Sequence, residues 1–229
     1  MTTQNDGIAI FLANRHYLYE LLQHIFGHEP SFELIEIAVS EHTQEALKLL
    51  VDEDEVKFDD YLAVLSELKQ GISTEAEGRI DKLKSEYTYL MLGPNKLPAP
   101  PWESVYLNEE RAIFQESTLR VRRAYLEYQF LPANYPHEAD DHIALELDFM
   151  AHLAKMAQEL FEEGDTEEVK RVLSDHKAFL EEHLLVWIGD FAEQIQASKT
   201  HYLYPQMAAL TEQVLKIDAA ALDELIVLL

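Results

Sequence analysis

The sequence predicts an all-α fold, a compact multi-helix bundle, on three observations. First, 48% of the 229 residues are hydrophobic, which is enough to build a sizeable core. Second, the seven glycines are scattered and six of the eight prolines lie between residues 94 and 136, so both flanks are free to form long helices. Third, no segment alternates apolar and polar residues as a strand does.

The N-terminal flank predicts helices at 8–26, 31–51, 58–68 and 74–92. Apolar residues recur at helical spacing through the first, which Gly27 and Pro30 should end. Ser31 is placed to cap the second helix. Thr74 and Glu77 have the spacing of a capping box that would start the fourth, and Gly93 should end it.

The C-terminal part predicts further helices at 109–127, 140–163, 183–197, 204–216 and 219–228, with one more starting at Asp165. Asp140 or Asp141 should cap the 140–163 helix, and Gly164 should end it. The intervening stretch 128–137 contains Pro132 and Pro136 and predicts a hinge. We therefore predict an N-terminal helical lobe at 1–127 and a C-terminal helical lobe at 138–229.

Charge and composition exclude several classes of function. The 18 Lys and Arg against 43 Asp and Glu give a net charge of -25, which disfavours nucleic acid and anionic membranes and favours a basic partner. Acidity that only keeps the protein soluble is the alternative. The absence of cysteine excludes disulfides, thiolate nucleophiles and iron–sulfur ligation by this chain.

Targeting signals and common catalytic motifs are also missing from the sequence. No Lys or Arg precedes the first apolar stretch as in a secretory signal, and no uncharged apolar run approaches the roughly 20 residues that span a bilayer. We therefore expect cytoplasmic residence without stable membrane insertion. Dinucleotide and phosphate loops, His-Glu-x-x-His and Gly-x-Ser-x-Gly are absent, so we expect neither an enzyme nor a cofactor.

An acidic cluster with a histidine stands at the predicted start of the 140–163 helix. One carboxylate is enough to cap a helix, so the surplus among Glu138, Asp140 and Asp141 indicates a site for Arg or Lys. His142 and Glu146 are four residues apart and share a helix face. They could instead only pair with each other or with a neighbouring helix, and acidic first turns are common in helices without ligands.

A stiff segment precedes this cluster. Residues 98–101 (PAPP) should be extended and should hold Trp102 and Tyr106 in place as aromatic binding anchors, with Glu103 beside them for a basic group. The alternative is that the two aromatic side chains close the end of the bundle.

Three segments in order resemble the TorD/DmsD family of redox-enzyme maturation chaperones: 86–94 (EYTYLMLGP), 101–106 (PWESVY) and 138–150 (EADDHIALELDFM). The resemblance implies a cytoplasmic all-α chaperone, without catalysis of its own. It would bind the twin-arginine signal peptide or the apoprotein of a molybdopterin oxidoreductase, during cofactor insertion and before export. It places Asp141, His142, Trp102 and Tyr106 at the peptide site. Ala139 stands where the family often has proline, and Met91 where phenylalanine is common.

Our hypothesis is that carboxylates of this region attract the two arginines and that the aromatic side chains receive the apolar part of the peptide. The predicted peptide-binding residues are Trp102, Glu103, Tyr106, Asp140, Asp141, His142 and Glu146. Two alternatives stay open. One is a metal-dependent helical enzyme that uses Asp141, His142 and Glu146, joined by His152 or His183. The other is a general acidic adaptor for a basic partner. A monomer is favoured, with a lobe-swapped dimer as the alternative.

Overall fold

The computed structural model describes residues 3–50, 59–94, 96–108, 110–132 and 137–229. This part of the chain is helical, and its only β pairing is one antiparallel bridge between Trp102 and His142. The all-α prediction is confirmed. The helices are α1 (Thr3–Gly27), α2 (Phe32–Ala38), α3 (Glu41–Lys48), α4 (Asp59–Tyr87), α5 (Glu103–Leu107), α6 (Glu116–Glu127), α7 (Ile143–Glu163), α8 (Thr166–Phe179), α9 (Leu185–Ala197) and α10 (Tyr204–Leu228).

The first predicted helix is confirmed, whereas the second is divided into α2 and α3. Ser31 caps α2 as predicted, since its hydroxyl accepts from the Leu34 N–H at 3.1 Å. Ser40 then leaves the helical conformation and caps α3, accepting from the Thr43 N–H at 3.2 Å. A serine with extended backbone can start a helix in this way, which the apolar pattern alone did not indicate. The predicted end at residue 51 lies outside the described residues.

The prediction of two helices at 58–68 and 74–92 is wrong, because α4 is continuous. Its backbone passes through Thr74 and Glu77 without the non-helical turn that a capping box requires. A π-helical turn, Thr88–Leu92, extends α4 until Gly93, which has a φ of 84° and ends the element as predicted. The predicted first residue, 58, lies outside the described part.

The predicted helix 109–127 begins later than expected. Arg111 and Phe114 have φ values of 49° and 62°, in the left-handed region that a helix of L-residues does not enter. Residues 110–114 therefore form a loop and Gln115 caps α6, while the predicted first residue, 109, lies outside the described part.

Helix α7 begins at Ile143 with His142 as its N-cap, so the predicted caps, Asp140 and Asp141, are two residues and one residue too early. Gly164, with a φ of 85°, ends α7, and the Asp165 carboxylate caps α8 by accepting from the Glu168 N–H at 3.2 Å, both as predicted.

The last predicted helices merge with their neighbours. A π-helical turn, Leu180–Leu184, joins α8 directly to α9, and α10 runs without interruption through the gap predicted at 217–218. Asp218, which lies in that gap, is helical, and its carboxylate is engaged inside the bundle. At the start of α10, Glu86 accepts from the backbone N–H groups of Tyr202, Leu203 and Tyr204.

The helices on both sides of the predicted hinge share one hydrophobic core. Helix α1 lies along α7, which also packs on α8, while α10 packs on α4, α8 and α9. Residues 133–136 of the predicted hinge lie outside the described part, and the division into two lobes stays a prediction. No helix within the described ranges has both the length and the apolar character that crossing a membrane requires.

A buried ionic cluster ties α1, α8 and α10 together. Arg15 donates from Nε and Nη2 to the two carboxylate oxygens of Asp218 at 2.6 and 3.0 Å, and the Tyr19 hydroxyl donates to the same carboxylate at 2.6 Å. Burial alone would raise the pKa of Asp218, but the Arg15 charge and hydrogen bonds lower it below its ordinary value. Burial holds the pKa of His176, which contacts Arg15 at 3.1 Å, well below its usual range.

We expect Asp218→Ala to lower the free energy of unfolding by about 3–5 kcal/mol, because it leaves the buried Arg15 guanidinium without its counter-ion. Urea unfolding followed by circular dichroism measures the change. Glu168→Ala, which breaks an exposed ion pair with Arg171, is the control and should have a much smaller effect. Equal effects of the two substitutions would contradict the role assigned to the buried pair.

Candidate functional site

Two segments that are distant in sequence meet at one junction, 101–107 and 138–146. The Glu103 N–H donates to the Asp141 carbonyl at 3.0 Å, and the Ile143 N–H donates to the Pro101 carbonyl at 2.9 Å. These two bonds place Trp102 opposite His142. The structure thus joins the proline–aromatic segment to the acidic–histidine segment, which the sequence indicated separately.

Asp141 is fully buried and caps α5 rather than its own helix. Its Oδ2 accepts from the Ser104 N–H at 2.8 Å, in the first turn of α5, and its Oδ1 has no partner within the described part of the protein. A carboxylate at this position satisfies a free N–H and complements the positive end of the helix dipole. Asp141 therefore holds the proline–aromatic segment in place.

His142 caps α7 through its ring. Nδ1 accepts from the Ala144 N–H at 3.1 Å, so this nitrogen carries no proton. Burial lowers the pKa of His142, and the nearby charges of Glu138 and Asp141 oppose that effect only in part. The imidazole is therefore neutral at neutral pH, with its proton on Nε2.

Asp140 connects the junction to α6. Its Oδ2 accepts from Arg122 Nε at 2.7 Å and Nη2 at 2.6 Å, and its backbone carbonyl accepts from the Tyr125 hydroxyl at 2.9 Å. Asp140 itself is 2% exposed, whereas the Arg122 side chain is 42% exposed. The negative charge of Asp140 is thus already paired with the partly exposed guanidinium of Arg122.

Trp102 and Tyr106 are half-buried at the junction. Trp102 Nε1 donates to Glu138 Oε1 at 2.8 Å, and its ring meets the His142 ring edge-to-face with centroids 5.6 Å apart. The Tyr106 ring packs on Trp187 of α9 at 5.3 Å. Burial raises the pKa of the Tyr106 phenol, with a smaller opposing effect of Arg111.

Glu103 and Glu146 are fully buried and belong to one hydrogen-bonded group. Glu103 Oε2 contacts His183 Nδ1 at 2.9 Å, and Glu146 Oε2 accepts from Trp187 Nε1 at 3.2 Å. Burial raises the pKa of Glu146 well above its ordinary value, helped by the charges of Glu103 and Asp141 and by a hydrogen bond with Glu103. This raised pKa favours the protonated form of Glu146 in the folded protein.

The structure brings all seven predicted site residues to this junction, but it divides them by exposure. Trp102 and Tyr106 reach solvent, while the acidic residues and His142 have partners inside the protein. His142 and Glu146 serve different neighbours rather than each other. No group of three His, Asp or Glu within the described ranges is arranged to hold a metal ion, so the metal-enzyme alternative has no support.

Sequence reasoning missed three partners of this site. Arg122 on α6 and Trp187 on α9 were not proposed, and His183 was considered only as a metal ligand. Each lies at least 18 residues from the group that it binds, as in the pair Arg122 and Asp140, so no local spacing pointed to it. The close spacing of Arg120, Arg122 and Arg123 in a chain with a net charge of -25 was the one available signal.

Comparison with known proteins places this junction within a family. Residues 41–193, more than half of the chain and all three of the segments singled out above, match the model of the nitrate reductase delta subunit family. The chain belongs to this family.

Curated relatives of this nitrate reductase delta family member carry the names of chaperones rather than catalysts. "Probable Tat proofreading chaperone DmsD" of Haemophilus influenzae is 34% identical over 140 residues, 61% of this chain and 62% of that protein. Chaperone protein TorD of Shewanella pealeana is 26% identical over 91% of this chain and 90% of that protein. TorD of Vibrio cholerae is 26% identical over 95% and 96% of the two chains. The predicted membership of the TorD/DmsD family is confirmed.

We expect Glu146→Gln to remove a pH dependence of stability. Above pH 4.5, the ordinary pKa of this residue, the unfolded chain loses the proton that folded Glu146 keeps, so folding takes up a proton and stability falls as pH rises. The slope from one such group is at most about 1.4 kcal/mol per pH unit, up to the raised folded pKa. Glutamine donates the same hydrogen bond without titrating.

Urea unfolding at several pH values between 5 and 8 measures this slope. The stability of Glu146→Gln relative to the wild type should increase with pH over the lower part of this range. Glu182→Gln, at an exposed position on the same side of the molecule as His183, should run parallel to the wild type. If the stability of Glu146→Gln also changed with pH in the same way as that of the wild type, Glu146 would be ionised in the folded protein.

Proposed function

We propose that this chain is a cytoplasmic chaperone that binds the twin-arginine signal peptide or the apo form of a molybdopterin oxidoreductase, during cofactor insertion and before export. The observation that carries the proposal is the junction of 101–107 with 138–146, where two half-exposed aromatic side chains stand on a rigid base in a member of this chaperone family. The names of the relatives support the same class of client.

The chemistry of the junction suits a peptide that starts with basic residues and continues with an apolar stretch. A net charge of -25 attracts such a peptide over a distance. The faces of Trp102 and Tyr106 offer large contact areas that lose little entropy on binding, because both rings are already held by hydrogen bonding or packing.

We propose a division of roles among the seven site residues. Trp102 and Tyr106 touch the peptide. Asp140, Asp141 and His142 hold the rim, since each caps or clamps a neighbouring element. Glu103 and Glu146 lie behind the rim and fix the aromatic segment to α7 and to the turn between α8 and α9.

We also propose that the chaperone is a monomer. Helix α1, from the first predicted lobe, packs along α7, from the second, within the same chain. This packing leaves no need for a lobe exchanged with another copy. Light scattering over a concentration series would show a constant mass for the monomer and an increasing mass for a swapped dimer.

Trp102→Ala should weaken binding of a twin-arginine peptide by at least about tenfold, the size of effect seen when a central aromatic anchor is removed. Isothermal titration calorimetry with the wild type and the variant measures this. Tyr202→Ala, at an exposed aromatic position in another part of the structure, is the control and should leave the affinity unchanged. A peptide with both arginines replaced by lysine should bind more weakly, and equal binding would favour the general acidic adaptor.

Asp141→Asn and Asp141→Ala together test whether this residue positions the rim or attracts an arginine. Asparagine keeps an oxygen that accepts from the Ser104 N–H, whereas alanine removes the cap of α5. We expect Asn to retain most of the peptide affinity and Ala to lose it. An equal loss in both variants would mean that the charge itself binds the peptide.

A further inference from the structure

An arginine of the chain itself lies over the ring of Tyr106. The guanidinium of Arg111 stands 5.9 Å from the centre of the Tyr106 ring, and its Nη2 donates to Gln194 Oε1 at 3.0 Å. Trp187 and Phe191 of α9 support the same ring, at 5.3 and 6.4 Å. The ring is therefore held by α9 and covered by an arginine.

Arg111 is held here by an unusual set of contacts. Its backbone φ of 49° is left-handed, a conformation that is unfavourable for a residue with a Cβ. No carboxylate within the described ranges lies at salt-bridge distance from Arg111, although the chain carries 43 acidic residues. The guanidinium is bound only by an aromatic face and a neutral amide, so these two groups form a surface that accepts a guanidinium.

Two further groups complete this surface. The Tyr106 hydroxyl is buried and has no hydrogen-bond partner in the part of the chain that is described. Asp190 stands one helical turn before Gln194 on α9, and its charge acts on the Tyr106 phenol. A ring face, an amide oxygen, a free hydroxyl and a nearby carboxylate together suit a planar cation better than a compact ammonium ion.

We propose that Tyr106, Gln194 and Asp190 form a subsite for the guanidinium of an arginine in the bound peptide, and that Arg111 occupies this subsite in the free chain. The inference rests on the proposed function, since it assigns one arginine of the signal peptide to a defined place. Arg111 acts as an internal competitor, which the peptide displaces by moving the loop of residues 110–115.

The first experiment compares Arg111→Ala with Arg120→Ala. Both remove one positive charge from an exposed position, so both increase the general attraction of a basic peptide equally. Only Arg111→Ala empties the subsite. We expect it to lower the Kd for the twin-arginine peptide by about 3–5-fold relative to Arg120→Ala, the factor for one exposed cation–π contact. Equal Kd values for the two variants would overturn the proposal.

The second experiment does not need the signal peptide. Arg111→Gly removes the guanidinium and places glycine at a left-handed position that it adopts readily, so the loop keeps its path. Arginine amide added to this variant should shift the NMR signals of the Tyr106 ring, and lysine amide should shift them much less. Gln194→Ala in the same background should weaken the response to arginine amide.

The two experiments separate failure of this inference from failure of the proposed function. Binding of arginine amide to Arg111→Gly, without binding of the twin-arginine peptide to the wild type, would preserve the subsite and reject the client. Peptide binding to the wild type without a response of Arg111→Gly to arginine amide would reject the subsite and preserve the client.

Discussion

The architecture of the candidate site depends on one buried carboxylate. Asp141 reaches out of the turn before α7 and caps α5, while two backbone hydrogen bonds join the same segments. Helix α5 has only five residues and could not persist alone. Its position, and with it the directions of Trp102 and Tyr106, is thus set by contacts with a segment that lies almost 40 residues further along the chain.

Burying four carboxylates at one junction is unfavourable unless each is neutralised or hydrogen-bonded. The protein meets this requirement in four ways: a backbone N–H for Asp141, the Arg122 guanidinium for Asp140, an imidazole for Glu103 and a raised pKa that favours the protonated form of Glu146. The acidic cluster is thus an internal frame, and the negative field that attracts a basic partner comes from carboxylates elsewhere on the surface. This explains why the junction is rich in acidic residues although the side chains that reach solvent there are the aromatic rings of Trp102 and Tyr106.

The sequence alone was sufficient to predict helix ends that are marked by a glycine or by a capping side chain. Gly27, Gly93, Gly164 and Asp165 lie at helix ends or starts where the sequence indicated. The left-handed φ values of Gly93 and Gly164 and the Asp165 cap depend on only a few neighbouring residues. Thr74 and Glu77 misled, since a capping box starts a helix only where the preceding backbone leaves the helical conformation, and α4 is continuous there.

The sequence predicted which residues belong to the candidate site, but it did not predict their burial or their partners. The seven residues came from two short stretches of sequence, and the resemblance to the TorD/DmsD chaperones came from these two and the segment 86–94. Their burial and pairings depend on α6 and α9, and no sequence spacing reports which residues of those helices face the junction. Arg111 was equally hidden, because the apolar pattern around it predicted a helix and gave no sign of a left-handed turn.

The π-helical turn at Leu180–Leu184 determines which side chains of α9 face the junction. A π turn holds one residue more than the equivalent α turn, which rotates the next helix by about 100° about its axis. In this orientation His183 contacts Glu103, and Trp187 donates to Glu146. Deletion of a single residue from the turn would rotate the following side chains away from Glu103 and Glu146, although the identities of those side chains would not change. The spacing between α8 and α9 is therefore under as strict a constraint as the identities of the site residues, and natural variation in length should be confined to the loops.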